Sequence, residues 1–526
     1  MKCPVKVGLL SLLMYGLAGS SLPVYAEDSA TGSPASATPA APLGFRMTDN
    51  TPDSITLEWY KPTTTDITEY YIYTSEKAEG PFAKLGSSKE RRYIHKDLAP
   101  AVTRFYKVVA VSPNGESPQS TVATGFTFAR CVPTPFPVKV ATNMCVSLNS
   151  TVIADQKPVA GKLTDLVDGS DATSCRFRKA CEIKVKLGDA ATFADADYLM
   201  LHFRTDCGNV PWSNDRNART LRKYVITESL DSTNGKDGTW TEVATGSNEL
   251  LDGVIVLPNH KPKWIGVRNL SSENIDPNDK RPLPSDLILA RLDVFRSAPA
   301  GYRNDYWLFT GDSLVVQDMP ASSDPSRKAL FSDLIRKQHP DRYPIVVHAA
   351  RGGEMLKDTL PRTKNVIAAH SPTPPAGVPV GTIVCWETGY NDVGVGGSLG
   401  LGGSMVKSYE AAKSLCDSNN LIIVPVRIEF STQYLDLNTM EPAKYNIFVN
   451  TLAANLGGVD VFCRASAPYA CNPDTQKPYA DYWSYIYQNH ATALAKDGVH
   501  HTAEGSDGIN RIWAETADKM VYSQIK

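Results

Sequence analysis

Apolar positions recur at every second residue through the first half of the chain and in unbroken blocks through the second. Ser54-Ile55-Thr56-Leu57-Glu58-Trp59, Tyr70-Tyr71-Ile72-Tyr73 and Arg104-Phe105-Tyr106-Lys107-Val108-Val109-Ala110-Val111 are separated by turns rich in Gly, Pro, Ser and Asn. A period of two sends one face of each segment into a core, so residues 43–128 predict a small β-sandwich. Residues 132–298 continue in this manner with Glu182-Ile183-Lys184-Val185-Lys186-Leu187, Tyr224 to Ser229, Gly238 to Val243, Trp264 to Arg268 and Leu289 to Phe295.

From residue 302 the pattern changes. Apolar blocks at Trp307-Leu308-Phe309, Tyr343 to His348, Gly381 to Trp386, Leu421 to Ile428 and Val459 to Cys463 alternate with helical stretches, and Asp507 to Gln524 reads as a closing helix. Strands buried on both faces and alternating with helices predict a parallel sheet. The expected fold class is multidomain: two N-terminal β-sandwich modules, then a C-terminal α/β three-layer sandwich over residues 302–526.

The first residues stand apart. Lys2 and Lys6 precede the apolar run Val7 to Leu17, and Val24-Tyr25-Ala26 places small residues where a signal peptidase reads them. The run falls short of the ~20 residues a membrane span needs. Residues 1–26 are therefore expected to be a signal peptide, and the mature chain an exported, soluble protein without membrane insertion. Residues 27–42, rich in Ala, Ser, Thr and Pro, form a linker that cannot bury a core.

Charge excludes one class of partner. Lys+Arg 54 against Asp+Glu 56 leaves a net charge of −2, so no bulk field draws nucleic acid. Of ten cysteines, Cys3 leaves with the signal peptide. An oxidising compartment should pair most of the remainder, with at least one left over. Cys131 with Cys145 and Cys463 with Cys471 are close candidates, although connectivity does not follow from spacing. No Cys-x-x-Cys zinc pattern and no His-Glu-x-x-His appears; His348, His370, His500 and His501 lack a metal-ligand spacing.

The chemistry concentrates in turns. The block Trp307-Leu308-Phe309-Thr310-Gly311-Asp312-Ser313 is a buried strand that ends by presenting a serine, and open α/β sheets bind ligands beyond the carboxyl ends of their strands. Two further strands run into Ala350-Arg351-Gly352-Gly353-Glu354 and Glu387-Thr388-Gly389-Tyr390-Asn391-Asp392, and Asp497-Gly498-Val499-His500 stands near the end. Each also has a plainer reading: Asp312 or Ser313 as a helix N-cap, Asn391-Asp392 as another cap, and His500-His501 as a loop pair.

Together these turns resemble the SGNH (GDSL-like) hydrolases over the whole C-terminal domain. Gly311-Asp312-Ser313 is similar to the first conserved block of that family, Gly389-Tyr390-Asn391-Asp392 to the third and Asp497-Gly498-Val499-His500 to the last. The resemblance implies a flavodoxin-like fold with Ser313 as nucleophile, His500 as general base and Asp497 as its orienting carboxylate. It implies an oxyanion hole from the N–H groups of Ser313 and Gly353, with Gly352 as the alternate, and the side-chain amide of Asn391. Gly389 and Asp312 would be accessory, Asp312 shaping the turn. No cofactor is implied for catalysis. Residues 43–128 resemble a fibronectin type III domain, with Trp59 in the core and Leu98-Ala99-Pro100 ahead of Tyr106 as its tyrosine corner. Residues 132–298 resemble a galactose-binding-like jelly roll of the discoidin type, although Cys175 stands where an aromatic is more usual. That resemblance implies glycan-binding loops, and Asp168 and Asp171 would suit either a structural calcium or simple turn formation.

A rival nucleophile exists in Gly396-Gly397-Ser398-Leu399-Gly400, which satisfies Gly-x-Ser-x-Gly, but its glycine-rich surroundings leave neither a strand before it nor a helix after it. The function expected is removal of O-acetyl groups from a polysaccharide or cell-surface glycan. The alternatives are an O-acetyltransferase using the same triad and a glycan-binding protein with an inactive hydrolase domain.

Overall fold

The alternating segments form strands, and their buried faces set how the sheets stack. The computed structural model describes residues 38–524, apart from 64–65, 143, 179, 188–189, 207–220, 222, 249, 271–285, 371–379, 395–404, 429–430 and 432–463. The expected signal peptide, most of the linker, Ser398 with its glycine-rich run, and the expected strand Val459 to Cys463 lie outside the described residues.

The first unit contains β1 (Leu43–Asn50), β2 (Ile55–Tyr60), β3 (Glu69–Ser75), β4 (Ala83–Ser88), β5 (Arg92–His95), β6 (Thr103–Ser112), β7 (Gly115–Glu116) and β8 (Ala123–Phe126). One sheet runs β1-β2-β5 and the other β4-β3-β6-β7, with β8 also on β6. All pairs are antiparallel. Trp59 is the core anchor, meeting Phe45 and Tyr70 edge to face at 5.8 and 5.2 Å. The hydroxyl of buried Tyr106 hydrogen-bonds the Nδ1 of His95 at 2.8 Å.

The second unit comprises β9 (Val152–Ala154), β10 (Cys175–Arg178), β11 (Glu182–Lys186), β12 (Tyr198–Thr205), β13 (Lys223–Ser229), β14 (Thr241–Ser247), β15 (Asp252–Pro258), β16 (Trp264–Asn269) and β17 (Asp286–Arg296). Its antiparallel sheets run β10-β17-β12-β15 and β14-β13-β16-β11-β9. Leu199, Leu201 and Phe203 of β12 share one apolar cluster with Ile183, Val185, Ile226, Ile265 and Val267 of the opposite sheet. All eight residues of β12 are buried, so its second face is covered too. That cover is the third unit: Met200, Val254, Val256 and Phe295 belong to the same cluster as the parallel sheet described next.

The third unit follows the expected alternation, with β18 (Tyr306–Gly311), α1 (Ser313–Asp318), α2 (Phe331–Gln338), β19 (Ile345–His348), α3 (Leu356–His370), β20 (Ile383–Glu387), α4 (Tyr390–Gly394), α5 (Met405–Ser418), β21 (Ile422–Pro425), α6 (Tyr482–Ala493) and α7 (Ala503–Ala517). The strands are parallel in the order β19-β18-β20-β21. The chain leaves β18 for one side of the sheet and returns to the other, and the crevice so formed lies beyond the carboxyl end of β18. Phe309 packs edge to face on Trp513 at 5.1 Å and on Phe331 at 5.4 Å, which fixes α7 and α2 against the central strand.

Where it meets the third unit, the second carries a buried cluster of ion pairs. Arg204 pairs with Asp171 at 2.7 Å and Asp252 at 3.4 Å, and Arg291 pairs with Asp293 at 2.6 Å and Asp171 at 3.4 Å. Asp252 also accepts the backbone N–H of His348 at 2.8 Å, satisfying a donor on edge strand β19. His202 reaches the carbonyl of Val346 at 3.0 Å. The first unit docks through Trp483, whose indole donates to the carbonyl of Thr48, and through Arg427, which donates to Asn50 at 2.7 Å.

The cysteine expectations need correction. Cys131 bonds Cys471, a separation of 340 residues, so neither Cys131 with Cys145 nor Cys463 with Cys471 is the pairing. The joined segments are neighbours only once the units have packed. Cys145, Cys175, Cys181, Cys385 and Cys416 are unpaired and buried, behaving as small apolar side chains. Cys207 and Cys463 lie outside the described residues. No helix among the described residues is long and apolar enough to cross a membrane.

Candidate active site

Strand β18 needs glycine at its end. A Cβ on Gly311 would lie 2.1 Å from the carbonyl oxygen of Glu387 on β20, so only hydrogen fits between the two backbones there. The chain then turns, Asp312 accepts the N–H of Leu314 at 3.0 Å as an N-cap, and α1 begins with Ser313. Asp312 thus takes the capping role expected of it. Burial is the main influence raising its carboxyl pKa, to about 7; Asp392, Glu354 and Asp318 add to it, while the Leu314 N–H works against it.

Three side chains expected to act together do meet. The Oγ of Ser313 stands 3.1 Å from the Nε2 of His500, and the Nδ1 of His500 stands 2.6 Å from Asp497. The other oxygen of Asp497 accepts the backbone N–H groups of Val499 and His500, each at 3.0 Å. Partial burial works against the charged form of Asp497. The hydrogen bonds from the imidazole and from the two amides outweigh it, and the carboxyl is held below its ordinary pKa. An ionised carboxylate only accepts, so Nδ1 carries the proton and Nε2 offers its lone pair to the serine hydroxyl. Ser313 is 9% exposed, whereas the side chains of His500 and Asp497 are 30% and 50% exposed, so the site opens on the surface from the histidine side.

The remaining turns surround the serine. Arg351 donates its N–H to the carbonyl of Gly311 at 3.2 Å, tying the turn after β19 to the serine turn. Gly352 borders the nucleophile: a Cβ built on it would lie 3.9 Å from the Cβ of Ser313. Gly353 has a φ of +76° with open space around it, a conformation that favours glycine. The amide of Asn391 donates to the carbonyl of Glu354 at 2.8 Å. Asp392 accepts the N–H of Leu356 at 3.1 Å, supporting the start of α3 from within α4. Gly389 begins the turn into α4, and the hydroxyl of Tyr390 reaches Ser431 at 2.6 Å, which donates to the carbonyl of Gly498 at 2.8 Å. The turn bearing Asn391 is thereby connected to the loop bearing His500.

Several supporting residues carry no motif that a sequence reading would catch. Gln317, one turn beyond Ser313 on α1, accepts the backbone N–H of His501 at 3.0 Å and donates to its carbonyl. The imidazole of His501 is fully buried and bonds Asp318 at 2.9 Å. Glu354 is clamped by Arg362, whose Nε lies 2.6 Å away, and Arg362 also donates to the carbonyl of Gly311.

The acids considered for calcium are otherwise engaged. Asp171 sits between the guanidinium groups of Arg204 and Arg291. Asp168 accepts from the N–H of Ser170 and the hydroxyl of Thr173 within its own turn. Among the described residues no group of three or more His, Cys, Asp or Glu side chains is placed to hold a metal ion. Two arginines around one carboxylate do not fit a cation.

Residues 40–126 match the fibronectin type III domain. No curated protein matches the chain. Solved structures similar to parts of it include FN3tt, at 20% identity over 17% of this chain and 97% of that one with a TM-score of 0.16. A Fn3-like protein from Clostridium thermocellum shows 23% identity over 17% and 92%, TM-score 0.15. Chitosan-binding module 1 of a chitosanase/glucanase from Paenibacillus sp. IK-5 shows 19% identity over 29% and 98%, TM-score 0.21. Overlaps at these scores carry no argument about what this chain does.

Proposed function

We propose that the chain is an exported serine esterase of the SGNH type, removing O-acetyl groups from a polysaccharide or cell-surface glycan through an acyl-enzyme. The observation that supports this reading is the continuous hydrogen-bonded series from Ser313 through His500 to Asp497 beyond the carboxyl end of β18. Export is supported by the apolar run before Val24-Tyr25-Ala26.

In this reading His500 Nε2 takes the hydroxyl proton as Ser313 Oγ attacks the ester carbonyl carbon. Asp497 stabilises the imidazolium that forms. The carbonyl oxygen becomes an oxyanion, met by the N–H of Ser313, the N–H of Gly352 or Gly353, and the N–H of Asn391 that Glu354 does not hold. The tetrahedral intermediate collapses, the sugar alkoxide leaves with the proton from His500, and the acetyl group remains on Ser313. Water, deprotonated by the same imidazole, attacks the acyl-enzyme; acetate departs and Ser313 regains its proton. The partial exposure of His500 and Asp497 suits an ester carried on a polymer too large to enter a closed cavity.

Acetate release from acetylated polysaccharides and from 4-nitrophenyl acetate tests this. Wild-type protein is expected to hydrolyse both, and Ser313→Ala and His500→Ala to lose both activities. Undiminished activity in the two variants would sink the reading, and loss only in Ser398→Ala would transfer it to the glycine-rich run.

A further inference from the structure

Outside the catalytic turns, a cleft of about 610 Å³ opens on the first unit, between β2 and the turn preceding β5. It is lined by Arg46, Lys61, Lys89, Arg91 and Arg92 against two carboxylates, Glu58 and Glu90. Five cations and two anions leave an excess of three positive charges in a chain whose total is −2. Its volume lies within the ~300–1,000 Å³ of small-ligand sites.

The inner wall carries an unanswered donor. Arg46 is 7% exposed, donates Nη1 to the carbonyl of Gly44 at 2.7 Å, and stacks its guanidinium over Tyr60, yet its Nε has no hydrogen-bond partner. A buried guanidinium N–H left without an acceptor is costly, and a ligand oxygen would relieve it. At the rim, Lys61, Lys89, Arg91 and Arg92 are exposed. Glu58 is held by Arg92 at 3.5 Å and by the hydroxyl of Tyr487 at 2.5 Å.

We propose that this cleft binds an acidic sugar, engaging a uronate carboxylate with Arg46 and the rim cations while Glu90 accepts from sugar hydroxyls. A mixed set of donors and one free carboxylate fits a hydroxylated, acidic ring better than a bare phosphate chain. Single-stranded nucleic acid would need a basic groove that tracks its backbone, and aromatic faces for stacking. Here the charge is confined to one cleft, and Arg46 already covers a face of Tyr60.

The position relates the cleft to the catalytic loop. Tyr487 lies on α6, which ends at Ala493 just before the loop of Asp497 and His500. Six residues of helix and four of loop bound the Tyr487–Asp497 separation at roughly 25 Å. In this proposal one polysaccharide chain occupies the cleft and presents an ester to Ser313, raising its effective concentration there. This deepens the esterase reading by naming an acidic polysaccharide as the substrate class.

The test is titration calorimetry of the full chain carrying Ser313→Ala, to prevent turnover, with polygalacturonate, dextran and single-stranded DNA. Polygalacturonate is expected to bind at least tenfold more tightly than dextran or DNA. Exposed Lys89 and Arg91 are changed together (Lys89→Glu, Arg91→Glu), which should weaken binding at least tenfold. The same pair of changes in the otherwise wild-type chain should leave 4-nitrophenyl acetate hydrolysis unchanged. Equal affinity for dextran, equal affinity for DNA, or undiminished binding in the double variant would each overturn the cleft proposal. Polygalacturonate binding that the double change weakens, in a chain without esterase activity, would uphold the cleft and refute the esterase reading, so the two fail separately.

Discussion

The side-chain amide of Gln317 holds the backbone of His501 at both of its polar groups, accepting from its N–H at 3.0 Å and donating to its carbonyl. Because Gln317 lies one turn along the helix that Ser313 begins, a single rigid element carries the nucleophile and fixes the segment bearing its base. Loosening this grip should leave the serine in place and let the imidazole wander. Gln317→Leu removes two hydrogen bonds, each worth about 1 kcal/mol, so kcat on 4-nitrophenyl acetate is expected to fall about tenfold with KM nearly unchanged. Wild-type kcat in a folded Gln317→Leu protein would show that Gln317 has no positioning role.

Asp497 holds the Nδ1 proton of His500, and its hydrogen bonds keep it ionised. Asp497→Asn replaces an acceptor with an amide that can turn its N–H toward the ring and favour the wrong tautomer. The expected loss in kcat is on the order of 10²–10⁴, with thermal stability preserved. A loss under threefold would place the orienting role elsewhere.

Asp312 gives a pH signature. Its folded pKa is raised by burial to about 7, well above the value of an unfolded aspartate, so the folded state favours the protonated form. The sign follows: this contribution to stability is fully present below about pH 4 and is lost as pH rises through about 7. Asp312→Asn keeps the acceptor for Leu314 without the charge. The variant should match wild type at pH 4 and exceed it at pH 8, by roughly 1–4 kcal/mol, in denaturant titrations at each pH. Parallel pH curves for the two proteins would contradict this.

The buried ion-pair cluster of the second unit should be fragile to one-sided change. Arg291→Met leaves Asp293 and part of Asp171 buried without their guanidinium. A loss of about 3–5 kcal/mol is expected, read as a fall in Tm. A change in Tm of under a degree would mean that these charges find other partners.

These residues also mark how far the sequence could be read. The period of two in Ile55-Thr56-Leu57-Glu58-Trp59 and the apolar block at Trp307-Leu308-Phe309 foretold a sandwich and a parallel sheet, because side-chain direction repeats with the backbone. The meeting of Ser313 with His500 was legible only through resemblance, since 187 residues separate them. Tyr198-Leu199-Met200-Leu201-His202-Phe203-Arg204 misleads by itself: alternation would turn His202 and Arg204 toward water, but the third unit covers that face. The Cys131–Cys471 bond was illegible for the same reason, as it depends on how whole units pack. Gln317 and Arg362 act on backbone atoms, which no residue pattern reveals.

The central claim is that Ser313 is the nucleophile activated by His500. Its most direct measurement is peptide mapping by mass spectrometry after treatment with a fluorophosphonate, which esterifies an activated serine. A single adduct on Ser313, greatly slowed by His500→Ala and missing in Ser313→Ala, is the expected result. Labelling that persists in Ser313→Ala, or that maps to Ser398, would contradict the claim.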